Sequence, residues 1–344
     1  MDAFVESPLQ LVCAVEAHAA GVAGPSTVAH VRDGVPTLAE TTDAVVALGL
    51  PVGLDLHPGP AVRRLASGDV LVGDVFSGAF QAALVRSPPT APRRLVVVDD
   101  GLATLDLIRR LVANEPLVRL ASRPGPLRLG LGSLAGRRLR RLANEGRLIL
   151  CTGLPVPDDL AAGLATAGVQ IARHRFDWLT SRSQHDAPDE PTVVVGSALV
   201  ADRLVHADQY VSWVRGIAAD GPVRYVPHRR HEPMVTALLE RVPGIRVDAP
   251  GAPVEIRLRG LRPHQRVVTL PSTSAVTLSQ LLAPRGVAVV SQSVPTGWWT
   301  DRAGPQLRRH LEATHDLAVL AVASAHRDAG RAPDRTDAVV RSCV

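Results

Sequence analysis

Lysine is absent from this chain: all 38 basic residues among its 344 are arginine. With abundant Ala, Gly, Pro and Val, that bias marks a GC-rich coding sequence rather than a surface selected for guanidinium groups. A sequence pI of about 10.0 therefore overstates the case for nucleic acid. The net charge is only +5, and no aromatic RNA-binding signature accompanies it, so a nucleic-acid partner is disfavoured. Aromatic residues make up 3% of a chain that is 46% hydrophobic, so its cores must be built from Val, Leu, Ala and Ile. Cysteine is scarce as well. Cys13, Cys151 and Cys343 are odd in number and far from any metal-ligand spacing, which excludes a disulfide scaffold and points to a reducing compartment. No apolar run reaches the length of a membrane span. The opening MDAFVESPLQ lacks the basic region of a secretory signal, so the expected location is cytoplasmic.

A chain of this length is long for one core and predicts two domains. The first half alternates strand and helix signals. Strands are expected at Ala3–Val5, Val28–Val31, Val52–Leu56, Val70–Val72, Leu95–Val98 and Leu148–Cys151, and helices over Leu9–Ala20, Leu38–Leu48 and Leu102–Val112. An irregular, Arg-rich insertion, 117–147, separates the last two strands. The polar stretch SRSQHDAPDEP is the expected linker, after which the pattern restarts. Strands are predicted at Thr192–Val195, Arg224–Val226, Ile245–Val247, Val254–Leu258, Val267–Leu270 and Val287–Val290, followed by a long helix over Gln306–Ala325. The domain expectation is 1–180, a linker 181–191, a second unit 192–325 that includes a returning C-terminal helix, and a frayed tail 326–344. Two Rossmann-like halves with polar residues at their strand tips describe the α/β architecture called GT-B, whose site lies in the cleft between the halves. No G-x-G-x-x-G follows the first strand and there is no Walker A motif, so a dinucleotide dehydrogenase is disfavoured.

The sharpest chemical signal is Val96-Val97-Val98-Asp99-Asp100-Gly101. Valines in series read as a strand buried on both faces, and acids at its carboxyl end sit where open α/β sheets bind ligands. Two adjacent carboxylates are costly to desolvate, which raises one pKa toward the range of a general base. The same residues would also serve as a solvated turn that caps the next helix. Two further strand-tip clusters lie in the second half, Pro227-His228 and Ser272-Thr273-Ser274. Together the three fit an inverting sugar transfer: a carboxylate takes the acceptor proton, while an imidazole and hydroxyls at a helix start hold the departing phosphate. The plainer uses are an N-cap for the Ser/Thr cluster and a surface position for His228. The basic run Arg137-Arg138-Leu139-Arg140-Arg141-Leu142 suits either a solvated helix face or contact with anionic lipid. Trp298 and Trp299 suit packing against the last helix or stacking on a sugar.

These motifs, in this order, resemble the bacterial sialyltransferases, in particular the lipooligosaccharide sialyltransferase and capsule polysialyltransferase families. The resemblance also covers the opening Ser7-Pro8-Leu9-Gln10, the segment Gly73-Asp74-Val75-Phe76-Ser77 and Tyr225-Val226-Pro227-His228, as ordered landmarks over about residues 5–290. It departs where the family's His is followed by Pro, since His228 is followed by Arg229. The added guanidinium suits a phosphate or sugar carboxylate. The resemblance implies a CMP-activated nonulosonic sugar as donor, a glycan or lipid-linked acceptor, and no cofactor or metal. It implies Asp99 as general base, with Asp100 positioning it or bonding the acceptor, and His228 as donor to the leaving phosphate. Ser272, Thr273 and Ser274 would hold that phosphate, joined by Arg229 although it departs from the family's pattern, and Gly196, Ser197 and Glu255 would line the nucleotide pocket. For Glu255 a solvent-facing strand position is the plainer alternative. Ser7, Gln10, Asp74 and Ser77 would stand on the acceptor side. Two other functions fit the same architecture: a UDP- or GDP-sugar transferase or epimerase, and a non-catalytic envelope-assembly protein.

Overall fold

The computed structural model describes residues 1–65, 67–119, 124–182 and 187–329. The first half forms one parallel sheet of β1 (Asp2–Val5), β2 (Thr27–Arg32), β3 (Leu54–Gly59), β4 (Asp69–Val72), β5 (Arg94–Val98), β6 (Leu148–Thr152) and β7 (Gln170–Arg173), in the order β3-β2-β1-β4-β5-β6-β7. The second half forms another from β8 (Thr192–Val195), β9 (Val223–Val226), β10 (Ile245–Val247), β11 (Arg266–Thr269) and β12 (Ala288–Ser291), in the order β10-β9-β8-β11-β12. In each sheet the first strand lies inside, the next two extend to one side and the fourth crosses to the other. That is the doubly wound Rossmann order, and its switch point opens a crevice beyond the strand tips. Two such sheets in one chain are the GT-B architecture.

The strands form where helices cover both faces: β6 and β8 are buried throughout, and β5 from its second residue on. One apolar cluster runs from β1 and the helix Pro8–Ala19 through Phe176 and Leu179 to Val193, Val195 and Val226 of the second sheet. A second joins Leu95 and Val97 of β5 to Ala275 and Val276, and to Leu317, Ala318 and Ala321 of the last helix, Pro305–Ala329. Both clusters therefore span the two halves. No described helix is long and apolar enough to cross a membrane. Ala66, 120–123, the linker positions 183–186 and the expected tail from 330 onward lie outside the described residues.

Two local expectations are corrected, and one strand is added. The stretch 117–147 is not irregular: it carries the helix Pro126–Asn144, opened by Pro126 at its first position. Val254–Leu258 is not a strand but a single helical turn, Val254–Arg257, entered from Pro253. It packs on the helix Thr273–Leu282 rather than joining the sheet. The edge strand β7 was not expected, because QIAR has no buried position and no apolar run.

Candidate active site

Both switch points face one cavity. From the first half it is lined by Ser7, Pro8, Leu9, Thr37, Asp100 and Gly101. From the second half come Gly196, His228, Arg229, Glu255, Arg257, Thr273 and Ser274, with the loop Pro250–Pro253. Ser7, Asp100, Gly196, His228, Arg229, Glu255, Thr273 and Ser274 are thus brought together. Asp99, Gln10, Asp74, Ser77, Ser197 and Ser272 stand outside the cavity lining.

The two carboxylates of the acidic pair point apart. Asp99 is buried at 1% exposure, accepting from the Thr152 hydroxyl at 2.7 Å and the Gly153 amide at 2.8 Å. Beside it His174 Nε2 lies 3.7 Å away, and Cys13 completes a buried thiol–carboxylate–imidazole group whose donor atoms all lie within 4.8 Å of one another. A carboxylate enclosed in this way cannot reach an acceptor hydroxyl in the cavity; the expectation of Asp99 as base conflicts with where the chain puts it.

Asp100 is the acid that lines the cavity. Its Oδ1 accepts from Gln10 Nε2 at 2.7 Å and from the Ser7 hydroxyl at 3.3 Å, while its amide donates to Thr104 Oγ1 at 2.9 Å. Ser7 caps the helix Pro8–Ala19, so the turn leaving β1 delivers both Ser7 and Gln10 to this carboxylate. Burial first, and the neighbouring Asp74 second, push the Asp100 carboxyl up to about 6, against the opposing effects of Gln10, Arg119 and Ser7. Arg119 pairs with Asp74 at 2.6 Å and approaches Asp100 Oδ2 at 3.7 Å. Asp74 also accepts from the Phe76 amide. With Ser77 it lines a separate polar hollow, beside Arg119 and Arg128, next to the cavity.

Gly101 joins the halves. Its φ of 65° and ψ of −138° belong to glycine, and a Cβ there would lie 2.7 Å from Thr273 Oγ1 across the cleft. That hydroxyl accepts from the Leu102 amide at 3.2 Å. Gly101→Ala is expected to lower the unfolding free energy by ~1–3 kcal/mol in a urea titration, from the disfavoured φ alone, with the crowding at Thr273 added. Gly34→Ala is the control. Its φ is +74° but a Cβ there meets nothing within 4 Å, so a loss as large as that at position 101 would remove Thr273 from the account.

On the opposite wall, His228 follows β9. Its Nδ1 accepts from the Arg230 amide at 3.0 Å, so in the neutral ring the proton sits on Nε2, which is left to donate. Burial first, then Arg229 and Arg230, push its pKa down to about 4, so near neutrality it is an uncharged donor. Gly196 lets this loop come close: a Cβ there would lie 2.8 Å from the Tyr225 hydroxyl and 2.9 Å from the His228 amide.

Of the Ser/Thr cluster, Ser272 is the N-cap of the helix Thr273–Leu282, accepting from the Ala275 amide at 3.3 Å. Its hydroxyl is therefore engaged in the cap rather than in the cavity, while Thr273 and Ser274 stand at the helix start, where backbone N–H groups favour an anion. Ser197 turns its hydroxyl back to the Leu199 amide. Glu255 is neither a strand residue nor solvent-facing. It is 4% exposed, bonded by the Thr277 hydroxyl, and burial raises its pKa. Sequence reasoning missed Arg257, which reaches the cavity while paired with Asp248 at 2.6 Å, and missed Arg119. Reading Val254–Leu258 as a strand hid the first; the second sits in the stretch read as irregular.

No protein-family model matches this chain, and no curated protein matches it. Among solved structures it is similar to LpCGTa in complex with UDP, with a TM-score of 0.47 and 12% identity over 95% of this chain and 94% of that one. TcCGT1 in complex with UDP gives 0.46 and 11%, over 94% of each chain. UDP-N-acetylglucosamine 2-epimerase from Rickettsia bellii gives 0.45 and 10%, over 95% of this chain and 94% of that one.

Proposed function

We propose that this protein is an inverting glycosyltransferase that moves a nonulosonic sugar from a CMP-activated donor to a glycan hydroxyl. The observation that carries it is the opposition across one cavity of Asp100, with its carboxyl pushed up to about 6, and His228 with the helix start Thr273–Ser274. In this reading the unit 1–180 holds the acceptor and 192–325 the nucleotide. Asp100 takes the proton of the attacking hydroxyl as its oxygen bonds the anomeric carbon. The bond from that carbon to the phosphate oxygen breaks, and its electron pair leaves with CMP. His228 Nε2–H and the amides at the start of Thr273–Leu282 meet the charge that develops on the phosphate. Arg229 flanks them. Asp99 acts as a positioning residue, tying the tip of β5 to β6 through Thr152 and Gly153. The chemistry as proposed needs neither cofactor nor metal, because the leaving group carries a single phosphate.

A second reading, a UDP- or GDP-sugar transferase or epimerase, is favoured by Arg229 and Arg257 on the nucleotide side. Two guanidinium groups suit a diphosphate better than a monophosphate. Thermal shift separates the two. CMP at roughly 100 times its dissociation constant should stabilise the protein by about 2.7 kcal/mol, with UDP and GDP giving less. A larger shift with UDP or GDP moves the assignment to the second reading. Binding of CMP without transfer or hydrolysis of a CMP-sugar would leave only a non-catalytic role.

A further inference from the structure

The helix Pro126–Asn144 has a face that no part of the described chain covers. Leu127, Leu129 and Leu134 are 92%, 40% and 45% exposed; among the described residues the other exposed leucine is Leu320, on the last helix. Gly132, Ala135, Leu139 and Leu142 form the buried side of the helix. At helical spacing, Leu127 and Leu134 fall together on the opposite side, and Arg137 and Arg141 continue the same stripe toward the C-terminus. Both arginines are exposed. The helix contains no acidic residue, and only Glu145, just past its end, offsets the arginines by pairing with Arg141 and Arg147. Arg138 gives its guanidinium to the neutral carbonyls of Pro88 and Ala91. The stripe is therefore apolar at its start and cationic at its end.

Exposed leucines alone would suit many partners. Leucines in line with exposed arginines, one of them paired with a Glu145 that Arg147 shares, match the layered chemistry of a bilayer surface, acyl chains beneath and phosphates above. We propose that this face seats the protein on an anionic phospholipid bilayer, the leucines entering the boundary between headgroups and acyl chains and the arginines meeting lipid phosphates. The position of the face serves the site. Gly125, just before the helix, and Arg128 in its first turn line the polar hollow that holds Asp74 and Arg119, and Arg119 reaches to within 3.7 Å of Asp100. An acceptor anchored in lipid would then approach Asp100 from the membrane side. That last consequence rests on the proposed function; the docking itself does not.

The test is co-sedimentation of the full chain with vesicles of phosphatidylcholine alone, or of equal parts phosphatidylcholine and phosphatidylglycerol. Wild-type protein is expected on the mixed vesicles and not on the neutral ones, with binding weakened by salt. Leu127→Glu with Leu134→Glu should weaken it by about tenfold or more, and Arg137→Glu with Arg141→Glu should remove the preference for anionic lipid. All four side chains are exposed, so both variants should stay folded, the arginine variant losing only the small contribution of the surface Arg141–Glu145 pair, and both should keep the wild-type thermal shift with CMP. That unchanged shift separates this proposal from the one about the donor. Absence of wild-type binding to mixed vesicles, or equal binding by the leucine variant, overturns the proposal. So does a wild-type dimer in sedimentation equilibrium that the leucine variant dissociates, since the face would then join two copies of the chain.

Discussion

Asp100→Asn is expected to lower kcat by about 10²–10⁴-fold, the range for loss of a general base, with CMP affinity by calorimetry close to wild type. An asparagine keeps an acceptor oxygen for Gln10 and Ser7, so the turn after β1 should hold its place. The pH profile identifies the residue. The carboxyl is pushed up to about 6 and must be ionised to take a proton, so activity is lost as pH falls through 6 and is full above it. Whatever activity remains in Asp100→Asn should lack that limb. Asp74→Asn removes the neighbouring like charge and should move the limb to lower pH. Asp99→Asn is expected to differ in kind. It places an amide where two donors point, costing about 1–3 kcal/mol in stability for a buried mismatched group, and its loss of turnover should follow its loss of folded protein. If Asp99→Asn abolishes turnover at full folding while Asp100→Asn stays active, the roles of the pair are reversed.

That contrast shows what one sequence discloses here and what it withholds. The valines before Asp99 announce a buried strand, and the pair after them marks a strand tip. Which acid faces the cleft is decided by β6, because Thr152 and Gly153 take Asp99 inward; β6 lies some fifty residues further on, and nothing near position 99 encodes its register. Both halves were legible through their alternation of strands and helices. The helix Pro126–Asn144 was not, since glycines at 130, 132 and 136 dilute its apolar period. Gly132 is there for packing: a Cβ would lie 2.7 Å from the Leu117 carbonyl. In Val254–Leu258 the apolar alternation is that of a strand, yet β10 and β12 already form the edges of the second sheet and the segment docks on a helix instead. Arg119 could not be found by spacing, because its partners Asp74 and Asp100 come from two other strand tips. Sequence pattern locates strand tips well; it does not say which side chain at each tip faces the neighbour.

His228→Ala should lower kcat by about 10²–10³-fold, the usual cost of removing one donor from a developing oxyanion, and unlike Asp100→Asn it should also weaken CMP. The expectation follows from the tautomer. The Arg230 amide occupies Nδ1, so the Nε2 proton is the hydrogen the ring can offer, and it is offered by a neutral imidazole pushed down to about 4 by burial and by Arg229 and Arg230. A neutral donor stabilises charge without itself titrating near neutrality, so His228→Ala should retain the acid limb near 6 that belongs to Asp100. His228→Gln places an amide N–H near the position of Nε2 and should recover part of the lost turnover, which a role in shaping the loop alone would not allow. The close approach at Gly196 and the Arg230 amide fix the ring, and in the proposed reading the Arg229 guanidinium would add charge beside the phosphate. Turnover of His228→Ala within about threefold of wild type, or CMP affinity unchanged in it, would remove the imidazole from the leaving-group side and leave the amides of Thr273–Leu282 to meet the charge alone.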